Sequence, residues 1–148
     1  RNMSALRASR TALVATARLD GVRSLILRGD RVLLDRALRN LLRNACEAER
    51  RSTEANPAGI AVTVGLDSEH AVVEIRDHGP GWPALGRAHL GVPFVTTRPS
   101  GVGLGLYFAY TLAETVGGRL ELDDTPGGGA IARLVLPVAR DLRLQGAE

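Results

Sequence analysis

The chain is 148 residues long, 45% hydrophobic and 24% charged, the profile of one ordinary globular domain with a single core. Its net charge of +3 comes from 19 basic and 16 acidic residues without a long basic run, and aromatics make up only 3%, which argues against a nucleic-acid reader built on a basic stripe or stacking rings. The lone Cys46 excludes an internal disulfide, and no apolar run approaches the ~20 residues of a membrane span or reads as a signal peptide.

In chain order, residues 1–10 are short, polar and Ala-rich, and are expected to end a linker from an upstream domain, since the chain starts at Arg1. Ala12 to Leu19 and Arg23 to Leu27 read as a strand pair around the Asp20-Gly21 turn signal. Asp30 stands where a helix N-cap belongs. After it Val32, Leu33, Ala37, Leu38, Leu41, Leu42, Ala45 and Ala48 recur at helical spacing, predicting a helix to about Arg51. Ile60 to Leu66 and Ala71 to Ile75 alternate as β-branched strands.

Asp77 to Ser100 is Gly- and Pro-rich, with a short helix predicted around Ala84 to Leu90. Loops of that length in compact domains are usually functional. A second long helix is predicted from Gly103 to Val116, stopped by Gly117-Gly118. Two last strands, Arg119 to Leu122 and Ala130 to Leu136, flank Pro126-Gly127-Gly128-Gly129, and residues 141–148 form a tail. The order of elements predicts an α+β fold, with helices on one face of a mixed, mainly antiparallel sheet.

Four constellations carry chemistry. Asn40 and Asn44 share one face of the first helix, although Asn is a poor residue for a helix interior. They read equally as a solvated flank or as amide oxygens offered to Mg2+, which takes oxygen donors together with substrate phosphates. Asp77-His78-Gly79-Pro80-Gly81 follows directly on a strand. A carboxylate there can accept a hydrogen bond from an exocyclic amine such as that of adenine, and the glycines admit a flat ring, though a plain turn has the same spelling.

Gly101-Val102-Gly103-Leu104-Gly105-Leu106 feeds a helix N-terminus, which presents N–H groups and the positive dipole end to an anion. It is neither a Rossmann fingerprint nor a P-loop. Ahead of it, Phe94-Val95-Thr96-Thr97-Arg98 sets two hydroxyls and a guanidinium beside that phosphate site, or forms a plain exposed loop.

Taken together and in order, these elements resemble the catalytic ATP-binding domain of bacterial sensor histidine kinases, within the gyrase, Hsp90, histidine kinase and MutL superfamily. Asn40-Leu41-Leu42-Arg43-Asn44-Ala45 looks like the N box, and Asp77 to Gly81 like the first glycine box. Phe94 to Arg98 is similar to the Phe-containing part of the ATP lid. Gly101 to Leu106 resembles the second glycine box and Gly127-Gly128-Gly129 the third. The likeness covers residues 11–138, and 11–140 is taken as the kinase domain.

The resemblance implies a Bergerat fold, a two-layer α/β sandwich with an ATP lid, binding ATP and Mg2+. Asn44 would hold the metal, with Asn40 and Arg43 near the phosphates. Asp77 would bind the adenine amine, and Gly79 and Gly81 would border the base. Thr96, Thr97 and Arg98 would hold the terminal phosphate, and Gly101, Val102, Gly103, Leu104, Gly105 and Leu106 would line the phosphates. Asn44 and Arg98 would then carry the catalysis.

It further implies transfer of the γ-phosphate to a histidine on a dimerisation domain of the same parent protein, and onward to a response regulator. The isolated domain is expected to be monomeric and cytoplasmic, its parent a dimer that a membrane can anchor.

Three positions depart from the family pattern. Asn40 stands where hydrolysing branches place a Glu that activates water, and an amide cannot act as a general base. Glu47-Ala48-Glu49 replaces the basic residue that often follows the N box. Ala130 and Ala132 replace a hydroxyl and an aromatic after the third glycine box. His70, His78 and His89 read as surface or loop residues rather than phosphate acceptors. Competing readings are a nucleotide-sensing regulatory module, an anti-sigma-type serine kinase and, last, a hydrolysing ATPase.

Overall fold

The structure, a computed structural model, describes residues 13–17, 29–52, 59–66, 69–93 and 104–138. The element order is β1 (Leu13–Ala17), α1 (Arg31–Glu49), β2 (Ile60–Leu66), β3 (His70–Arg76), α2 (Ala84–Ala88), α3 (Gly105–Val116), β4 (Arg119–Asp124) and β5 (Ala130–Pro137). The α+β pattern expected from the sequence is the one observed.

One five-stranded sheet runs in the order β1-β2-β3-β5-β4. β2 with β3, β3 with β5 and β5 with β4 pair antiparallel, whereas β1 pairs parallel to β2 with Leu13 opposite Ile60. The sheet is therefore mixed and mainly antiparallel. The expected hairpin partner of β1, Arg23 to Leu27, lies outside the described residues.

Asp30 caps α1 through Oδ1, which accepts from the backbone N–H of Val32 at 2.7 Å and Leu33 at 3.2 Å. Ala37, Leu41, Ala45, Cys46 and Glu49 are its buried residues, a stripe at helical spacing that runs to the last turn. α3 begins two residues later than expected and ends at Gly117 in the left-handed conformation. There the N–H of Gly118 reaches the Ala113 carbonyl at 2.8 Å and that of Gly117 reaches Glu114 at 3.2 Å.

α1 and α3 pack against each other over the inner face of the sheet, and Leu41, Ile60, Leu112, Leu134 and Leu136 are the large side chains fully buried there. The other face is mixed, with the buried Ile131 and Val135 among polar side chains. On it Arg133 bridges Glu74 on β3 and Asp123 on β4. Among the described residues, no helix is long and apolar enough to cross a membrane.

Candidate nucleotide site

The candidate site begins where β3 stops. Asp77 is 5% exposed and is locked to the start of β5: its N–H donates to the Ala130 carbonyl at 3.0 Å, and its Oδ1 accepts from the Ala130 N–H at 3.2 Å. The N–H of Gly79 donates to the same Oδ1 at 2.9 Å. Burial pushes the Asp77 carboxyl up from its ordinary value of 3.8, against the pull of those two N–H donors, and the nearby Glu49 adds to the rise.

The loop is held from two sides. A Cβ on Gly79 would stand 2.6 Å from the Ala48 Cβ, so the loop lies directly on the last turn of α1. Gly129, in the third glycine stretch, has φ +107, and a Cβ there would collide with the Asp77 carbonyl oxygen. Gly81 has φ +86 and faces Asp124 at the end of β4. The absent side chains of Gly79 and Gly81 thus have a packing reason within the fold, besides any room they leave for a base.

The second part of the candidate site lies where α1 meets α3. The Cβ position of Gly105 is 3.6 Å from the Asn40 Cβ, so the N box and the second glycine box meet at these two residues. Leu104 is the N-cap of α3 and makes no side-chain cap hydrogen bond, and the first turn holds no acidic residue. Among the described residues no side chain caps the first-turn N–H groups beside Asn40, and they carry the positive end of the helix dipole.

Asn40 and Asn44 are half-buried one turn apart on α1, Arg43 is exposed, and Leu106 packs against the core. Phe94, Thr96, Thr97, Arg98, Gly101, Val102 and Gly103 lie outside the described residues.

Three features of the base end escaped the sequence reading. Glu49, read there only as part of the Glu47-Ala48-Glu49 departure after the N box, is buried, and its Oε1 accepts from the His78 N–H at 2.6 Å and meets His78 Nδ1 at 3.0 Å. Trp82 donates its indole N–H to the Ile131 carbonyl and its backbone N–H to Asp124 Oδ1, both at 2.9 Å. Asp124 also pairs with Arg87 on α2 at 2.8 Å. The available signal was Glu49 itself, which continues the four-residue spacing of Leu41 and Ala45 on the buried stripe.

The sequence of residues 29–140 matches the family described as histidine kinase-, DNA gyrase B-, and HSP90-like ATPase. The chain belongs to this family. Within it the domain is of the ATP-binding, sensor histidine kinase type.

It is 43% identical over 112 residues to the nitrogen regulation protein NtrY of Azorhizobium caulinodans, covering 74% of this chain and 14% of that protein. It is 38% identical over 105 residues to the C4-dicarboxylate transport sensor protein DctB of Pseudomonas aeruginosa, covering 70% and 17%. The fold is similar to that of the mycobacterial sensor histidine kinase MprB, with a TM-score of 0.71 at 29% identity, covering 90% of this chain and 85% of the other. A structure of full-length ShkA in complex with AMPPNP shares the fold, with a TM-score of 0.70 at 22% identity, covering 90% of this chain and 27% of that one. The ATPase domain is thus about one seventh to one sixth of the two sensor proteins it matches.

Proposed function

We propose that residues 11–140 form the kinase half of a two-component sensor, binding Mg-ATP and passing its γ-phosphate to a histidine of a dimerisation domain elsewhere in the parent protein. The observation that carries this reading is that one helix serves both ends of the site. Asn40 of α1 meets Gly105 at the uncapped start of α3, and Ala48 of the same helix backs the Asp77 loop. Eight residues of helix span about 12 Å, the scale of a nucleoside triphosphate lying from phosphate to base.

Asp77 supplies the acceptor for the adenine amine at one end. The N–H groups at the start of α3 take the phosphates at the other. Among the described residues no group of three or more His, Cys, Asp or Glu side chains is placed to hold a metal alone. The Asn44 amide oxygen would be the protein's ligand to a Mg2+ ion bound together with the phosphates, and that ion would supply neutralisation of phosphate charge. Thr96, Thr97 and Arg98 complete the phosphate side, as in the lid segment they resemble.

His70 opens β3, His78 is tied to Glu49 and His89 follows α2, so none is displayed on a helix as an acceptor. The acceptor histidine is therefore assigned to another domain, and catalysis to positioning and charge neutralisation. A response regulator is the onward recipient, and the cytoplasm the compartment that supplies ATP. The AMPPNP bound by ShkA supports the nucleotide assignment.

Calorimetric titration with Mg-ATP, followed by incubation with the parent's acceptor domain and labelled ATP, tests the reading. Binding that weakens at least tenfold in Asn44→Ala, together with label on the acceptor histidine, is the expected result. Binding without transfer would leave a nucleotide-sensing regulatory module, and no binding at all would sink both.

A further inference from the structure

Glu49 is a buried carboxylate that stability alone does not explain. Its side chain is 2% exposed, Oε1 accepts from the backbone N–H of His78 and lies 3.0 Å from its ring Nδ1, and Oε2 is buried with no hydrogen-bond partner among the described residues. Half of the group's acceptor capacity is desolvated without return, which is a cost to the fold. Buried polar groups left unsatisfied in this way often mark function.

What Glu49 holds is the residue between Asp77 and Gly79, inside the loop that frames the base. Neighbouring Ala48 closes against Gly79, so the last turn of α1 fixes positions 78 and 79 by a hydrogen-bonded carboxylate and by contact. The Asp77 backbone is tied to Ala130, and its side chain is held through Oδ1, which accepts from the N–H groups of Gly79 and Ala130. Its aim at a ligand therefore depends on where positions 78 and 79 are held. Glu49 is also close enough to push the Asp77 carboxyl upward, so the two carboxylates sense each other across His78.

We propose that Glu49 is a positioning residue for nucleotide recognition: by clamping His78, it sets the orientation in which Asp77 meets the exocyclic amine of adenine. The clamp acts on the base end and leaves the phosphate end untouched. This rests on the reading of the site as an ATP site.

The test compares wild type, Glu49→Met and Glu49→Gln in the full chain, by calorimetry with Mg-ATP and by thermal melting. Met fills the space without an acceptor and leaves the His78 N–H unpaired, so a modest fall in Tm is expected and affinities are compared well below the melting range. Gln keeps an oxygen for the His78 N–H. Losing a charge-assisted hydrogen bond is worth roughly tenfold or more, so Glu49→Met is expected to raise the Kd for ATP about tenfold and Glu49→Gln to stay within about threefold of wild type.

Competition with GTP, which has a carbonyl where adenine has its amine, is expected to show a reduced preference for ATP in Glu49→Met. The proposal is overturned if the Met variant binds ATP as wild type does, or if Gln loses as much affinity as Met. A wild-type chain that does not bind ATP sinks the site reading and this inference with it.

Discussion

Gly79 rests on Ala48 so closely that a Cβ at position 79 would lie 2.6 Å from the Ala48 Cβ and 2.7 Å from its carbonyl oxygen. Neither atom can yield, because both belong to the last turn of a helix whose opposite side is core. Gly79→Ala must therefore lift the base loop off α1, an overpacking cost of about 2 kcal/mol, read as a fall in Tm of roughly 6 °C for a domain of this size. Adding Ala48→Gly removes one of the three clashing atoms and leaves the carbonyl carbon and oxygen, so the double variant should recover only part of the loss. Full recovery would show that the carbonyl contact does not matter.

Gly105 presents the opposite case. A Cβ there would meet Asn40 at 3.6 Å, an ordinary contact, and the backbone is helical. Gly105→Ala should stabilise α3 by up to about 1 kcal/mol through helix propensity alone. The methyl would also stand between Asn40 and the first N–H groups of α3, where the phosphates are proposed to lie. A Tm that holds or rises, with ATP affinity reduced about tenfold, is the expected split. Unchanged affinity would move the phosphates away from this helix start.

The parts of this architecture that could be read in advance are those written at short range. The apolar spacing of α1, its Asp30 cap, the alternation in β2 and β3 and the stop at Gly117 each depend on neighbours a few residues away, and each element lies within about two residues of its expected place. The resemblance put Asn40 and Gly105 both near the phosphates, but their contact was not derivable from spacing. The parallel pairing of β1 with β2 carries no local signature, since it joins segments on either side of α1. Glu49 was hidden by its company: charges stand at Glu47, Arg50 and Arg51, and only its phase with Leu41 and Ala45 marks it as inward. The Trp82 links to Asp124 and Ile131 depend on β4 and β5 lying beside the base loop, which only the sheet order reveals.

Asp77 gives the site a pH dependence whose sign is fixed by its burial. Because burial raises its pKa above 3.8, the native chain holds this proton to higher pH than the unfolded chain does. The stability it contributes is therefore greatest at the acid end, falls as pH rises from 3.8 to the raised native value, and is flat beyond. Binding runs the other way, since the ionised carboxylate is the stronger acceptor for an amine. Wild type should gain ATP affinity with pH across that window, whereas Asp77→Asn should bind weakly with a flatter profile. Parallel titrations of the two chains check it, and identical profiles would exclude Asp77 as the titrating acceptor.

Trp82, the only tryptophan, adjoins Gly81 and is fixed at two points, through its indole to Ile131 and through its backbone to Asp124. Its emission should change when ATP fills the base end, and titrating fluorescence should give the calorimetric Kd. Asp124→Ala frees the Trp82 N–H and Arg87 together. Because both partners are partly solvated, the expected cost is only about 1 kcal/mol, with a shifted resting emission. An Asp124→Ala chain with wild-type emission would show that Asp124 does not hold the loop.

Asn40 bears on whether the domain keeps its phosphate for an acceptor or loses it to water. On α1 and beside the start of α3, it offers an amide, which cannot take a proton from water at neutral pH. A carboxylate at this place would lie near the positive end of the helix and remain ionised. It would then be able to accept a proton from a water close to the proposed phosphates. General-base assistance is worth about 10²–10⁴-fold when well placed, and some of that is lost to repulsion between the carboxylate and the phosphates. Asn40→Glu is therefore expected to raise steady-state ATP hydrolysis at least tenfold over wild type while lowering transfer to the acceptor histidine. Phosphate release and acceptor labelling measured in the same reaction separate the two. A variant that still binds ATP but hydrolyses no faster would mean that the γ-phosphate does not lie beside position 40, and the α1–α3 junction would then hold only the α- and β-phosphates.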